Sequence, residues 1–128
     1  MDAVQEALRQ LDEGRDFSSP RSVLRISAEK ACQRKPGAPY SIAENVAHAD
    51  GWQRMWLARV KGEPRPAHTD WPAVDSKDWP AIRESFCAGL EEAMALAERA
   101  EGNEAETLLR IVVHGAYHIG QCVLLKRL

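Results

Sequence analysis

Two histidines four residues apart, His114 and His118, stand in the run His114-Gly115-Ala116-Tyr117-His118. On a helix such positions lie about 40° apart around the axis, so the two imidazoles share a face with the geometry of a metal-chelating pair. The chain holds four histidines in all, and a third, His48, sits in a separate segment of helical character that can pack against the pair. Three neutral imidazoles with an open fourth position make a divalent metal site of the catalytic type. Such a set leaves the full charge on the ion, which can bring the pKa of a bound water to about 7 or deprotonate a bound thiol.

Other residues near these positions invite chemical roles, each beside a plainer one. Gln121 shares the face of the pair and offers an amide to a ligand or to an imidazole, and Tyr117 flanks the pair. Glu44 lies one turn before His48 and is a weak candidate for a base, although helix capping already accounts for it. Cys122, one turn beyond His118, could be a fourth ligand or a reactive thiol; small buried cysteines are common, so packing is its first reading. His68, in a proline-rich stretch, reads as exposed. Trp52 and Trp56 read as core before substrate platform, and Trp71 and Trp79 as anchors for a long connection. Arg54, Arg59 and Arg110 read as solvated charges on helix faces.

These residues need helices to position them, and the glycines and prolines divide the chain accordingly. A short first helix runs over about 2–13, with Val4, Leu8 and Leu11 on one face and Gly14 after it. A mixed stretch follows, with a short helix expected at 27–32 and irregular chain at 35–39. The second main helix has a capping box, Ser41 with Glu44 three residues on, and runs to about Lys61, where Gly62, Pro64 and Pro66 end it. The third opens near Trp79-Pro80 and carries Ile82, Phe86, Leu90, Ala93 and Ala97 at helical spacing up to Gly102. The fourth is expected to start with Asn103 and Glu106 as a second capping-box pair, and to close with Lys126 and Arg127 against the helix dipole. On it Thr107, Ile111, His114, His118, Gln121 and Leu125 trace one seam.

The expected fold is therefore an all-α four-helix bundle forming one domain over 1–128. The connection between the second and third helices is roughly 17 residues. At roughly 3.3 Å per residue it can span a 20-residue helix of about 30 Å, so those two helices can run parallel.

Composition narrows the function classes. The 128 residues carry a formal net charge of -2, with a sequence pI near 6.1, which gives no electrostatic footprint for nucleic acid or an anionic membrane surface. The first residues lack the basic-then-apolar order of a signal peptide, and no apolar run is expected to span a bilayer. Cys32, Cys87 and Cys122 are odd in number and widely spaced, as reduced thiols are. A cytoplasmic protein acting on a small molecule is the expectation.

The segment Tyr40-Ser41-Ile42-Ala43-Glu44-Asn45-Val46-Ala47-His48, followed by Trp52 and by Val60-Lys61-Gly62, resembles the second helix of the DinB/YfiT-like superfamily of metal-binding four-helix bundles. His114-Gly115-Ala116-Tyr117-His118-Ile119-Gly120-Gln121 resembles its other hallmark, a histidine pair running into Gly-Gln, and Asp70-Trp71-Pro72 and Trp79 fall where members carry tryptophans. The resemblance covers about 38–128. It implies an up-down-down-up bundle with the long crossover between helices two and three, a divalent metal such as zinc or nickel on His48, His114 and His118, and a homodimer in many members. It also implies a metal-dependent transferase that activates a low-molecular-weight thiol. Hydrolysis by metal-bound water is the alternative, and a non-catalytic metal-binding or association module is the third. The compressed lead-in before the second helix departs from the family pattern and leaves any contribution of helix one open.

Overall fold

In a computed structural model that describes residues 2–128, four long helices surround one apolar core. They are α1 (Ala3–Glu13), α4 (Ile42–Lys61), α5 (Trp79–Ala97) and α6 (Asn103–Arg127), with short α2 (Pro20–Val23) and α3 (Ala28–Cys32) between the first two and a 3₁₀ turn, Ser76–Asp78, leading into α5. The described residues contain no strand. The expected helix at 27–32 is α3, capped by Ser27; α2, one turn long and capped by Ser19, lies below the length at which periodicity can be read.

Local signals set most boundaries. Asp2 caps α1 by accepting from the Gln5 N–H. Gly14 ends the helix at φ 71°, a left-handed conformation natural to glycine. A Cβ there would also sit 2.4 Å from the Ser19 nitrogen, so this turn needs glycine twice over. Ser41 and Glu44 form the reciprocal capping box at the head of α4, and Gly62 ends that helix at φ 71°. The expected cap of α6 is not formed. Asn103 lies inside the helix, Gly102 occupies the cap position without a side-chain bond, and Glu106 pairs with Arg110 at 3.1 Å. Glu104 reaches back to the Glu101 N–H instead.

α4 is the central element, packed on both α5 and α6, while α1 closes the other side against α5 and α6. Its contacts advance together along α5: Ser85 donates to Asp50 at 2.8 Å, the Gln53 amide donates to the Phe86 carbonyl at 2.9 Å, and Lys61 reaches Glu92 at 2.6 Å. The two helices therefore run parallel, as the length of the crossover permits. Along α6 the order reverses, with Asn45 at His118 and Trp56 at His114. α6 is, by length and composition, apolar enough to cross a membrane, contrary to the sequence expectation. Leu108, Ile111, Ile119, Cys122 and Leu125 nonetheless lie in the bundle core, and core helices of bundles pass the same criterion.

Unusually for a core helix, α4 buries four polar side chains: Asn45, His48, Asp50 and Gln53. Each makes at least one polar contact, although the Gln53 Oε1 is buried without a hydrogen-bond partner. Gln53 also shows why α5 carries glycine at position 89, since a Cβ on Gly89 would fall 1.9 Å from its amide nitrogen. Gly89→Ala must displace that amide and break its bond to Phe86. It is expected to cost about 1–3 kcal/mol in urea unfolding, most of it recovered when Gln53→Ala is added.

Candidate metal centre

The seam of α6 and the facing side of α4 bring His48, His114 and His118 together. Ring centroids are 4.5 Å apart for His114 and His118, 4.7 Å for His48 and His118, and 5.1 Å for His48 and His114. Their donor nitrogens all lie within 4.8 Å of one another. His48 and His118 are buried and His114 is half-buried.

The partners of the rings fix which nitrogen faces the centre. His48 Nδ1 lies 2.6 Å from the Asp70 carbonyl oxygen and 3.2 Å from its carboxylate. Both are acceptors, so Nδ1 carries a proton, and the tautomer this selects is the one whose lone pair sits on Nε2. Asp70 is held in turn by the Trp52 indole N–H, which donates to Oδ1 at 2.7 Å. His118 Nδ1 lies 3.1 Å from Asn45 Oδ1, and the Asn45 amide donates to the Ser41 carbonyl at 3.0 Å, which orients the oxygen toward the imidazole. The capping residue at the head of α4 thus also anchors a ligand's partner.

Burial, reinforced by His118 and His48, pushes the His114 pKa down to about 4. Burial and His48 also lower that of His118, against a hydrogen bond to Gln121. Two imidazoles held at Nδ1 and a third, His114, kept neutral by burial are a donor set suited to a divalent ion. The residues present fit the metal.

Aromatic rings enclose the centre. Trp71, from the crossover, stacks on His48 at 3.9 Å and 6°. Tyr40 stacks in turn on Trp71 at 3.7 Å and 4°. Trp56 meets the His114 ring edge-on at 5.3 Å. Trp71 is therefore more than an anchor for the connection, and Trp52 and Trp56 border the site as half-buried rings. Trp79 does anchor, fully buried with its indole N–H donating to the Ile26 carbonyl.

The remaining candidates are placed as follows. Both Glu44 oxygens are engaged, one by the Ser41 N–H at 2.9 Å and one by Arg34 at 2.7 Å, so capping accounts for this residue. Cys122 lies in the core outside the histidine cluster, its thiol pushed up to about 12 by burial. Gln121 and Tyr117 line a cleft that reaches His118. His68 is not simply exposed. It is half-buried with Nε2 fully covered, edge-on to Trp52 and close above Gly51. Arg54 pairs with Asp50 and Arg59 is exposed, whereas Arg110 lines a second cleft that reaches His114.

The chain matches the sequence profile of the DinB superfamily over residues 10–122. It belongs to that superfamily. The match begins within α1 and ends on α6 just beyond the histidine pair, so it takes in all three histidines and the crossover that supplies Asp70 and Trp71. Neither the curated proteins nor the solved structures contain a match.

Sequence reading missed the roles of Asp70 and Asn45. Asp70 stands 22 positions from its histidine and gives no periodic signal. Asn45, 73 positions from His118, gave the one usable cue, a polar residue three before His48 on its face. Asn45→Leu is expected to weaken metal binding about 10–100-fold, measured by competition with a chromophoric chelator, with the helical content unchanged.

Proposed function

We propose that this DinB-superfamily protein is a metal-dependent transferase in which His48, His114 and His118 hold a divalent ion, zinc or nickel, and a low-molecular-weight thiol is activated to attack a small-molecule electrophile. A divalent ion held by three neutral ligands supplies the Lewis acidity that lowers the pKa of a thiol or a water at the open position. The reaction breaks the thiol S–H bond and forms a bond from sulfur to an electrophilic carbon, which expels its leaving group with the electron pair of the broken bond, while the thiol proton passes to solvent or to that leaving group.

The protein's own part is positioning and enclosure. Asp70 and Asn45 hold two ligands in one tautomer, and Trp71 covers a face of His48. The observation that carries the reading is the engagement of the nearby carboxylates. Water attack benefits from a base within one water of the centre, yet Glu44 is occupied by its cap and Arg34, and Asp70 commits Oδ1 to Trp52 and His48 and so serves to orient the imidazole. Thiol activation needs no such base. A cleft of about 470 Å³ bordered by Trp56, Val113 and His114 carries Arg110 at its side, paired on the exposed face with Glu106 at 3.1 Å, and a thiol carrier's carboxylate would have to share or take over that pairing.

Cobalt-loaded protein tests this. Adding cysteine should produce sulfur-to-cobalt charge-transfer absorption, and Arg110→Ala should weaken cysteine several-fold while leaving 2-mercaptoethanol unchanged. Accelerated hydrolysis of an activated ester, with no charge transfer from any thiol, would overturn the reading in favour of hydrolysis.

A further inference from the structure

A second cleft, of about 490 Å³, opens on the other side of Tyr117 and reaches His118. That volume lies in the range of small-molecule sites, about 300–1,000 Å³. Its walls come from three parts of the chain: the 36–40 lead-in, the crossover residue Trp71, and one face of α6. Tyr40 is held flat against Trp71 and Trp71 flat against His48, so one wall is a stack of rings that ends at a proposed metal ligand. The opposite wall is apolar, made of Tyr117, Leu124, Leu125 and Leu128. Tyr117 and Leu124 are 63% and 61% exposed, large apolar side chains left open to solvent beside a buried polar centre.

Charge is what this cleft lacks. None of its lining residues is Asp, Glu, Lys or Arg. Arg34, which bonds the Pro39 carbonyl in the same lead-in, is neutralised by Glu44 at 2.7 Å. Asn45 is spent on Ser41 and His118, and Gln121, itself hydrogen-bonded to His118, is the other side-chain amide in the lining, with bonding capacity left over because an amide carries two N–H donors and two acceptor lone pairs. A charged ligand group would lose its hydration here with no partner to replace it, while an apolar ring or chain would gain by burial.

We propose that the cleft beside His118 receives a neutral, lipophilic organic substrate bearing one hydrogen-bonding group directed at Gln121. The assignment rests on the metal-dependent transferase reading and names the class of its second substrate, with the charged thiol carrier on the Arg110 side and the uncharged partner on the Leu124 side of Tyr117.

Nitrobenzene and 4-nitrobenzoate, of similar shape and opposite charge state, test it by methyl and side-chain amide NMR. Both are titrated into zinc-loaded protein, with metal-free protein as the control that removes carboxylate binding to the ion. Nitrobenzene should shift the Leu124 and Leu125 methyls and the Gln121 amide, and in the metal-free control bind at least about tenfold tighter than the benzoate. Leu124→Asp should weaken nitrobenzene by about tenfold with zinc content unchanged. Equal or tighter binding of 4-nitrobenzoate in the metal-free control would overturn the proposal. So would a concentration-dependent dimer, abolished by Leu124→Asp, that nitrobenzene cannot compete with, since the face would then belong to a second copy of the chain. If no thiol reaches the ion while nitrobenzene still seats at Leu124, the transferase reading fails and the cleft assignment stands.

Discussion

Tag-free protein is expected to carry about one divalent ion per chain, and His48→Ala and His114→Ala close to none, by elemental mass spectrometry. Each histidine supplies one of only three donors in the cluster, and two donors on a helix face bind an ion far less tightly than three that close around it. The same ion should stabilise the fold, because the site joins α4 to α6. Zinc at a hundredfold excess over its dissociation constant adds about 2.7 kcal/mol, which for a domain of this size raises the Tm by roughly 10 °C. The alanine variants should lose that increment while keeping their helical circular dichroism. Wild type that neither carries nor takes up zinc or nickel would reduce the three imidazoles to polar core residues, and every mechanistic statement above would fall with them.

Much of this architecture was legible from short-range rules. The Ser41–Glu44 capping box, the glycines after α1 and α4, and the four-residue spacing of the histidine pair depend on residues within one turn of each other, and the structure places each as expected. The α6 start shows the limit of the same rules. Asn103 and Glu106 have capping-box spacing, yet Gly102 adopts φ 55° and lets the helix begin one residue earlier without a side-chain cap. The cluster itself was legible in its three histidines and not in what supports them. His48, His114 and His118 announce themselves by residue type, whereas Asp70 and Trp71 reach His48, and Tyr40 reaches Trp71, through connections whose path no periodicity encodes. His68 was misjudged for the same reason. A proline-rich stretch suggests exposure, and only the folded crossover brings the ring over Gly51, where a side chain would collide with it at 2.7 Å.

The depressed His114 pKa predicts how the metal-free protein responds to acid. Its ordinary value of 6.5 falls to about 4 in the folded state, through burial first and then the neighbouring His118 and His48, with Asp70 opposing. Above about pH 6.5 His114 is neutral in both states and contributes no pH dependence. Between about 6.5 and 4 the unfolded chain takes up a proton that the folded chain refuses, so stability falls as the pH falls through that window. Since His114 is only half-buried, solvent screening limits the loss to on the order of 1–2 kcal/mol. His118 is shifted in the same direction, while Asp50 and Asp12, raised mainly by burial, work the opposite way. A comparison with His114→Gln cancels these common terms. In urea unfolding of the metal-free proteins, wild type should lose about 1 kcal/mol more than His114→Gln between pH 7 and pH 4.5. Equal losses would mean that His114 protonates as readily folded as unfolded, and that its ring is not enclosed by the centre. Zinc should oppose the acid sensitivity of wild type, because an ion bound to the neutral ring favours the same protonation state that burial does.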